Sequence, residues 1–249
     1  MSRLKKRTRL TRLADFVHEC GMLRRTPRSG YQFLGTGQEN VAEHSFRTAV
    51  IGFVLGEMAR EAGQDVDSRH VAMLCLFHDL HEARTGDFNY VNRIYNSSTR
   101  TQALADCLAG TGLGGALMPL WEELEKTESP EAMLAQDADQ LDLMANLKEQ
   151  SDLGNRYADK WLAAAVQRLR TPQGKELGRA IMETDHTDWW FLGPDESWWT
   201  RKNGSRKDLP RVAVPGAAGK GGCGAPCEGD AGGSGEDPGE NPGENVDGQ

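Results

Sequence analysis

Apolar residues recur at helical spacing through most of the chain, and the clearest stretch follows Asn40. The run Asn40-Val41-Ala42-Glu43 resembles a capping box, in which the first and fourth side chains satisfy free backbone N–H groups. We predict a helix that continues to Ala62 and is ended by Gly63, with these apolar positions along it: Phe46, Ala49, Val50, Phe53 and Val54. The pattern therefore places His44 in the first turn of a long helix.

A second helix is predicted to begin at position 67 or 68; the adjacent residues His78 and Asp79 end its apolar run, and Gly86 closes the segment. Four of its positions stand at i, i+3, i+4 and i+7, namely Val71, Leu74, Cys75 and His78. Because this spacing describes one helical face, His78 should point into the core. If the helix persists, Glu82 lies one turn further along the same face.

The same periodicity predicts several more helices, and alternating strand patterns bounded by hairpin turns are absent. A first helix is indicated by Leu10, Leu13, Val17 and Cys20, and others by the ranges Thr101–Leu108, Ala116–Lys126, Pro130–Gln150, Asn155–Leu169 and Gly174–Glu183. The Pro- and Gly-containing segment Arg24–Gln38 is predicted to be a loop. We expect an all-α fold in which five or more helices share one core.

The composition changes sharply after Lys202, which divides the chain into residues 1–202 and 203–249. The second part is rich in Gly, Pro, Asp and Glu and contains almost no large apolar residue. Such a segment cannot bury enough apolar area to offset the entropy of ordering it. We expect one helical domain followed by a disordered acidic tail.

Total composition excludes several classes of function for the 249-residue chain. No apolar run approaches the roughly 20 residues that cross a bilayer, so no membrane partner is expected. The net charge of −8 disfavours nonspecific binding to nucleic acid, although the N-terminus itself is basic. Five scattered cysteines without a secretion signal indicate a reducing compartment, and we expect the protein in the cytoplasm.

Candidate chemistry is concentrated in three stretches that follow the order H…HD…D. His44 opens one helix, His78 and Asp79 close the next, and Asp139 lies in a later one. Burying an imidazole beside a carboxylate is unfavourable unless the two are paired or coordinate a cation. Periodicity alone does not separate Asp139 from its neighbours Asp137 and Asp142.

Two imidazoles and two carboxylates suit a divalent ion such as Mn²⁺, Co²⁺, Fe²⁺ or Mg²⁺ with positions open to water and substrate. A structural zinc site would more often use cysteine and close its fourth position. An open site of this kind activates water and polarises a phosphoryl oxygen. Two further acids, Glu82 and Asp87, are then candidates for moving a proton.

These stretches resemble the HD-domain metal-dependent phosphohydrolases, and more narrowly the single-domain 5′-deoxynucleotidases of that superfamily. The resemblance spans roughly residues 10–190 and rests on the segments 39–45, 78–82 with 85–87, and 137–141, which favour Asp139 as the last ligand. Residues 24–31 resemble the family loop that places a phosphate-binding arginine beside an aromatic residue. The resemblance implies an HD-domain helical bundle and a homodimer.

Carried over residue by residue, the resemblance implies one divalent metal held by His44, His78, Asp79 and Asp139. It implies that Glu82 and Asp87 act on water and leaving group. Arg28 would bind phosphate next to Tyr31, with Arg25 as a competitor for the same role.

The expected function is therefore hydrolysis of nucleoside 5′-monophosphates, deoxynucleotides in particular, to nucleoside and phosphate. The alternatives are another HD phosphohydrolase acting on triphosphates or cyclic nucleotides, and a nucleotide-binding HD module without catalysis.

Overall fold

Helices account for nearly all regular structure in the computed structural model, which describes residues 7–191. They are α1 (Arg9–Cys20), α2 (Val41–Glu61), α3 (Ser68–Phe77), α4 (Glu82–Thr85), α5 (Tyr90–Tyr95), α6 (Arg100–Leu108), α7 (Gly114–Lys126), α8 (Pro130–Asp152), α9 (Arg156–Val166), α10 (Pro172–Glu183) and α11 (Asp188–Phe191). The all-α prediction is confirmed. The tail predicted from residue 203 onward lies outside the described residues. No helix in the described range is long and apolar enough to cross a membrane.

The long helices α2 and α8 form the centre of the fold together with α3. The predicted capping box is present at the start of α2, where Asn40 and Glu43 each accept the other's backbone N–H at 3.1 Å. Helix α8 begins with Ser129 as its cap and Pro130 in its first turn. The core between these helices is built from aliphatic side chains, among them Leu55, Leu74, Leu134, Leu141, Met144 and Leu147.

The predicted continuation of the second helix through Glu82 is wrong. Helix α3 ends at Phe77, and His78 is its C-terminal cap. The His78 ring bonds to the carbonyl of Cys75 at 2.6 Å, and the backbone continues through tighter turns, with the Glu82 N–H bonded to the Asp79 carbonyl. Helix α4 then starts at Glu82. The tighter turns point successive polar side chains in different directions around one centre.

Two short segments also differ from the sequence prediction. The loop 24–38 includes the 3₁₀ turns Gly21–Arg25 and Ser29–Phe33 and is tied to α2 by an isolated bridge between Pro27 and Asn40. Helix α5 was not predicted; its cap Asn89 accepts the backbone N–H groups of the two residues at 91 and 92.

Close approach of α2 and α3 depends on two glycines of α2. A Cβ at Gly52 would lie 2.5 Å from the Cys75 sulfur, and a Cβ at Gly56 would lie 2.6 Å from the Ser68 Cα. The second contact is with backbone, which cannot move aside as a flexible side chain can.

We therefore expect Gly56→Ala to lower the free energy of unfolding by about 1–3 kcal/mol, as overpacked cores do. Gly115→Ala is the matched control, because a Cβ there meets nothing within 4 Å and alanine favours helix. Urea unfolding followed by circular dichroism measures both. Equal stability of the two variants would contradict the packing argument.

Candidate metal centre and substrate cavity

His44 is fully buried, although its place in the first turn of α2 is one where histidines usually face solvent. Helix α2 packs against both α3 and α8, and the His44 ring lies between Asp142 of α8 and His78 at the end of α3. His78 reaches the same place from the end of α3, and Asp139 reaches it from α8. Three helices thus bring distant parts of the sequence to one point.

The four proposed ligands converge on a single position. The two imidazole Nε2 atoms are 3.1 Å apart. The Asp139 Oδ1 atom lies 3.2 Å from Nε2 of His44, and the Asp79 Oδ2 atom lies 3.1 Å from Nε2 of His78. Ligand atoms about 2.1 Å from a metal are separated by roughly 3.0–3.4 Å from one another in octahedral or tetrahedral arrangements. These three spacings fall in that range, whereas Asp79 lies 3.5 Å from His44 and Asp139 lies 3.9 Å from His78. His44, His78 and Asp79 form the compact group, and Asp139 approaches it from the side of His44.

The hydrogen bond made by the Nδ1 atom of each histidine determines which ring nitrogen is available to a metal. Nδ1 of His44 faces the Asp142 Oδ2 atom at 2.6 Å, and Nδ1 of His78 faces the Cys75 carbonyl at 2.6 Å. Both partners are acceptors, so each Nδ1 carries a proton and each Nε2 faces the centre. The carboxylates around them outweigh burial and raise the pKa of both histidines, so that without a metal Nε2 holds a proton that metal binding would displace. Two imidazole Nε2 atoms 3.1 Å apart need a cation, either a proton or a metal ion, between them. The donor set therefore fits a divalent ion.

The charges of the centre reinforce one another. Burial raises the pKa of Asp139, but the hydrogen bond to His44 and the nearby positive charges outweigh burial and bring its pKa to about 2. The pKa of Asp79 is held well below its ordinary value because His78 and His44 outweigh burial in the same way. Both carboxylates are ionised at neutral pH and available to a metal.

The two competitors of Asp139 have other partners. Asp137 is buried and accepts the backbone N–H groups of Arg170 and Thr171, which fixes the turn between α9 and α10. Asp142 is also buried and binds both the His44 ring and the guanidinium of Arg47. Asp142 therefore lies behind a proposed ligand and orients it.

Glu82 and Asp87 have different environments. Glu82 is buried, its Oε2 atom has no hydrogen-bond partner in the described part of the protein, and it can approach Asp79 within ligand spacing. Burial and the charges of Asp79 and Asp87 raise the pKa of Glu82 to about 10. Asp87, by contrast, accepts both the backbone N–H and the hydroxyl of Ser29, at 2.7 and 3.2 Å. Asp87 holds the arginine loop, whereas Glu82 holds an exchangeable proton.

Arg28 points into this centre from the loop that Asp87 anchors. Its Nη1 atom lies 3.6 Å from Asp79 and 3.9 Å from Asp87, and its Nε atom lies 3.8 Å from Glu39. These acids outweigh burial and raise the pKa of the guanidinium, so it is charged at any working pH. The competitor Arg25 is exposed on the outer side of the loop.

A cavity with aromatic walls opens beside the ligands, and we call it the aromatic cavity. Asp79, Asp139 and Arg28 lie at one end, and Tyr31, Tyr90 and Trp161 line its walls. Phe33 stacks on Tyr90 at 5.5 Å, and both rings meet Trp161 edge-on. The carboxylate of Glu39 also lines the cavity and is fixed by two hydrogen bonds from Asn146.

Sequence reasoning missed several of these groups. Asp142 was considered only as a rival ligand, and nothing in the local pattern shows that it pairs with His44. Trp161, Tyr90 and Glu39 were not identified as cavity residues, since they come from three separate elements. Glu39 stands next to the capping residue Asn40, which is the one local signal that could have drawn attention to it.

Comparisons with known proteins agree with this architecture. The family described as "HD domain" matches residues 20–180. A 5′-deoxynucleotidase HDDC2 of Dictyostelium discoideum is 28% identical over 144 residues, covering 54% of this chain and 75% of its own length. The Danio rerio protein of the same name is 27% identical over 147 residues, covering 57% and 70%. A predicted metal-dependent phosphohydrolase from Magnetospirillum magnetotacticum superposes with a TM-score of 0.52 at 25% identity, covering 71% of this chain and 95% of its own.

The bond between Asp142 and His44 leads to a test of the metal centre. We expect Asp142→Asn to weaken binding of Mn²⁺ or Co²⁺ by about 10–100-fold, because such outer partners orient a ligand and raise its basicity. Asp65→Asn, at an exposed site, should leave the affinity unchanged. Calorimetric titration of the metal-free proteins measures both, with circular dichroism to verify folding. Unaltered affinity in Asp142→Asn would mean that His44 needs no such support.

Proposed function

Because the chain belongs to the HD-domain family, we propose that it is a metal-dependent phosphomonoesterase that hydrolyses nucleoside 5′-monophosphates, deoxynucleotides in particular. The observation that carries the proposal is the convergence of His44, His78, Asp79 and Asp139 beside a charged arginine and an aromatic cavity. The names of the two HDDC2 relatives support the choice of substrate.

In this proposal the four converging residues hold one divalent ion, which is Mn²⁺, Co²⁺, Fe²⁺ or Mg²⁺. When bound, such an ion supplies positive charge to a phosphoryl oxygen and to a water molecule. Arg28 neutralises the remaining charge on the phosphoryl group, which matters because phosphoryl transfer depends mainly on positioning and electrostatics. The nucleoside lies in the aromatic cavity, where Tyr31, Tyr90 and Trp161 exclude water from its base.

We assign proton transfer during hydrolysis to Glu82. A carboxyl with a pKa near 10 keeps its proton at neutral pH until a cation or a reacting oxygen draws it away. Asp87 acts indirectly: it positions Arg28 by fixing the loop that carries this arginine. The site motifs contain no serine or cysteine nucleophile, so direct attack by water is proposed.

A panel of nucleotides tests the activity. Phosphate release from deoxynucleoside 5′-monophosphates should require Mn²⁺ or Co²⁺, stop in excess chelator and resume when metal is restored. Release of pyrophosphate or triphosphate, or opening of a cyclic nucleotide, would instead favour another HD phosphohydrolase. Nucleotide binding without turnover would favour a binding module, and full activity in chelator would exclude the metal-dependent reaction.

Glu82→Gln separates proton transfer from metal binding. We expect turnover to fall by a factor of about 10²–10⁴, because the exchangeable proton is lost, while metal content and folding stay normal. Exposed Glu122→Gln on α7 is the matched control. Rates and metal content are measured on the same preparations. Lost metal would make Glu82 a ligand, and normal turnover would make it a bystander.

We further propose a homodimer in the cytoplasm. Helices α2 and α3 pack together, and their outward faces expose large apolar side chains at Phe46, Val50, Phe53, Val54, Met73 and Leu76. Several large exposed apolar side chains on two neighbouring helices are typical of interfaces between subunits. The unpaired cysteines Cys20, Cys75 and Cys107 agree with a reducing compartment.

Sedimentation velocity tests the proposed homodimer. It should give a dimer for the natural chain and a monomer for the double variant Phe46→Glu with Phe53→Glu. A monomeric natural chain would contradict this assembly.

A further inference from the structure

A second and larger cavity adjoins the aromatic cavity at the proposed metal ligands. It has a volume of about 620 Å³, within the range of ligand sites, and His78, Asp79 and Asp139 form part of its wall. Four arginines also line it, Arg93, Arg100, Arg168 and Arg170, of which Arg93 and Arg168 line the aromatic cavity as well. We call this cavity the arginine groove. Since Asp79 and Asp139 line both cavities, a molecule bound at the metal centre can reach into each of them.

The lining of the groove carries four arginines and four carboxylates, but only one of these arginines forms an ion pair among the described residues. Arg100 pairs with Glu125 at 3.4 Å, but Arg93, Arg168 and Arg170 have no carboxylate within 4.0 Å in the described part of the chain. Among residues 7–191, Arg168 bonds to the neutral amide of Gln140 and to no other side chain. The buried Asp137 nearby is occupied by backbone donors, and the acids at the metal centre face the two imidazoles.

Several unpaired guanidinium groups around one groove repel one another, and this repulsion is relieved when an anion binds. Guanidinium groups match the oxygens of phosphate in geometry and charge. The arrangement is local, because the chain as a whole carries a net charge of −8. A ligand with several phosphate groups therefore fits the groove better than a neutral molecule or a single carboxylate.

The position of the arginine groove relative to the proposed metal centre indicates which ligand the groove can bind. Under the proposed function, on which this step rests, the 5′-phosphate lies between Arg28 and the metal ligands, with its nucleoside in the aromatic cavity. A group attached to the far side of that phosphate enters the arginine groove. We propose that the groove binds the distal phosphates of nucleoside 5′-di- and triphosphates, so that these nucleotides compete with the monophosphate for the same site.

Inorganic tripolyphosphate tests the groove without any turnover. Calorimetric titration of the full chain, freed of metal by dialysis, should show tripolyphosphate binding at least tenfold more tightly than phosphate. Arg170→Gln should weaken tripolyphosphate binding about tenfold, because one charge-assisted contact is lost. Exposed Arg179→Gln on α10 should bind it as the natural chain does. If Arg170→Gln does not fold, Arg168→Gln serves as the second variant in this titration alone, because Arg168 also lines the aromatic cavity.

The second experiment measures inhibition of the metal-loaded enzyme, with metal kept in excess over nucleotide. A deoxynucleoside triphosphate should inhibit monophosphate turnover competitively, and its inhibition constant should rise about tenfold in Arg170→Gln while the monophosphate KM changes less than twofold. The proposal is overturned if tripolyphosphate binds no better than phosphate, or if Arg170→Gln and Arg179→Gln behave alike. It is also overturned if the triphosphate does not inhibit and a single-stranded oligonucleotide, tested in the same assay, inhibits in a way that depends on Arg170. Absence of monophosphate turnover would reject the proposed function, yet the tripolyphosphate titration would still decide the groove.

Discussion

The hydrogen bond between the buried imidazole of His44 and the buried carboxylate of Asp142 is the interaction on which the centre depends. A fully buried imidazole must satisfy two nitrogens, and here one nitrogen donates to a carboxylate from α8 while the other faces His78. Removing such a carboxylate would leave a ring free to rotate and a buried Arg47 contact broken. The pairing therefore fixes the distance between α2 and α8 and the direction of the metal-facing nitrogen together.

Helix packing and site geometry are consequently one problem. Glycines at 52 and 56 let α3 approach α2 closely, and the end of α3 then delivers His78 to within 3.1 Å of His44. The tight turns after Phe77 direct Asp79 toward the two histidines and place Glu82 in a buried position beside Asp79. A longer regular helix would present the histidine and Glu82 on one line instead of around a centre.

Local pattern predicted most of the helices, because capping residues and apolar periodicity are properties of neighbouring positions. The capping box at Asn40 and the starts near 67 and 130 are of this kind. The break at His78 and the short helix α5 were missed, since a side chain bonded to a carbonyl and a six-residue helix leave no periodic trace. The H…HD…D order pointed to residues that do converge, whereas the choice between Arg25 and Arg28, the partner of His44 and the cavity walls all depend on contacts between distant segments.

Net charge illustrates the same limit. The sum of −8 describes the field far from the protein, and at physiological ionic strength that field decays within about 8 Å. Under the proposed function, a phosphate at the site lies instead beside Arg28 and the arginines of the groove, which line the two adjoining cavities. The acidic ligands beside them are opposed by imidazoles, and a divalent ion would cancel their remaining charge. An acidic protein can therefore present a cationic pocket, and the sign of its substrate follows from the pocket and not from the total.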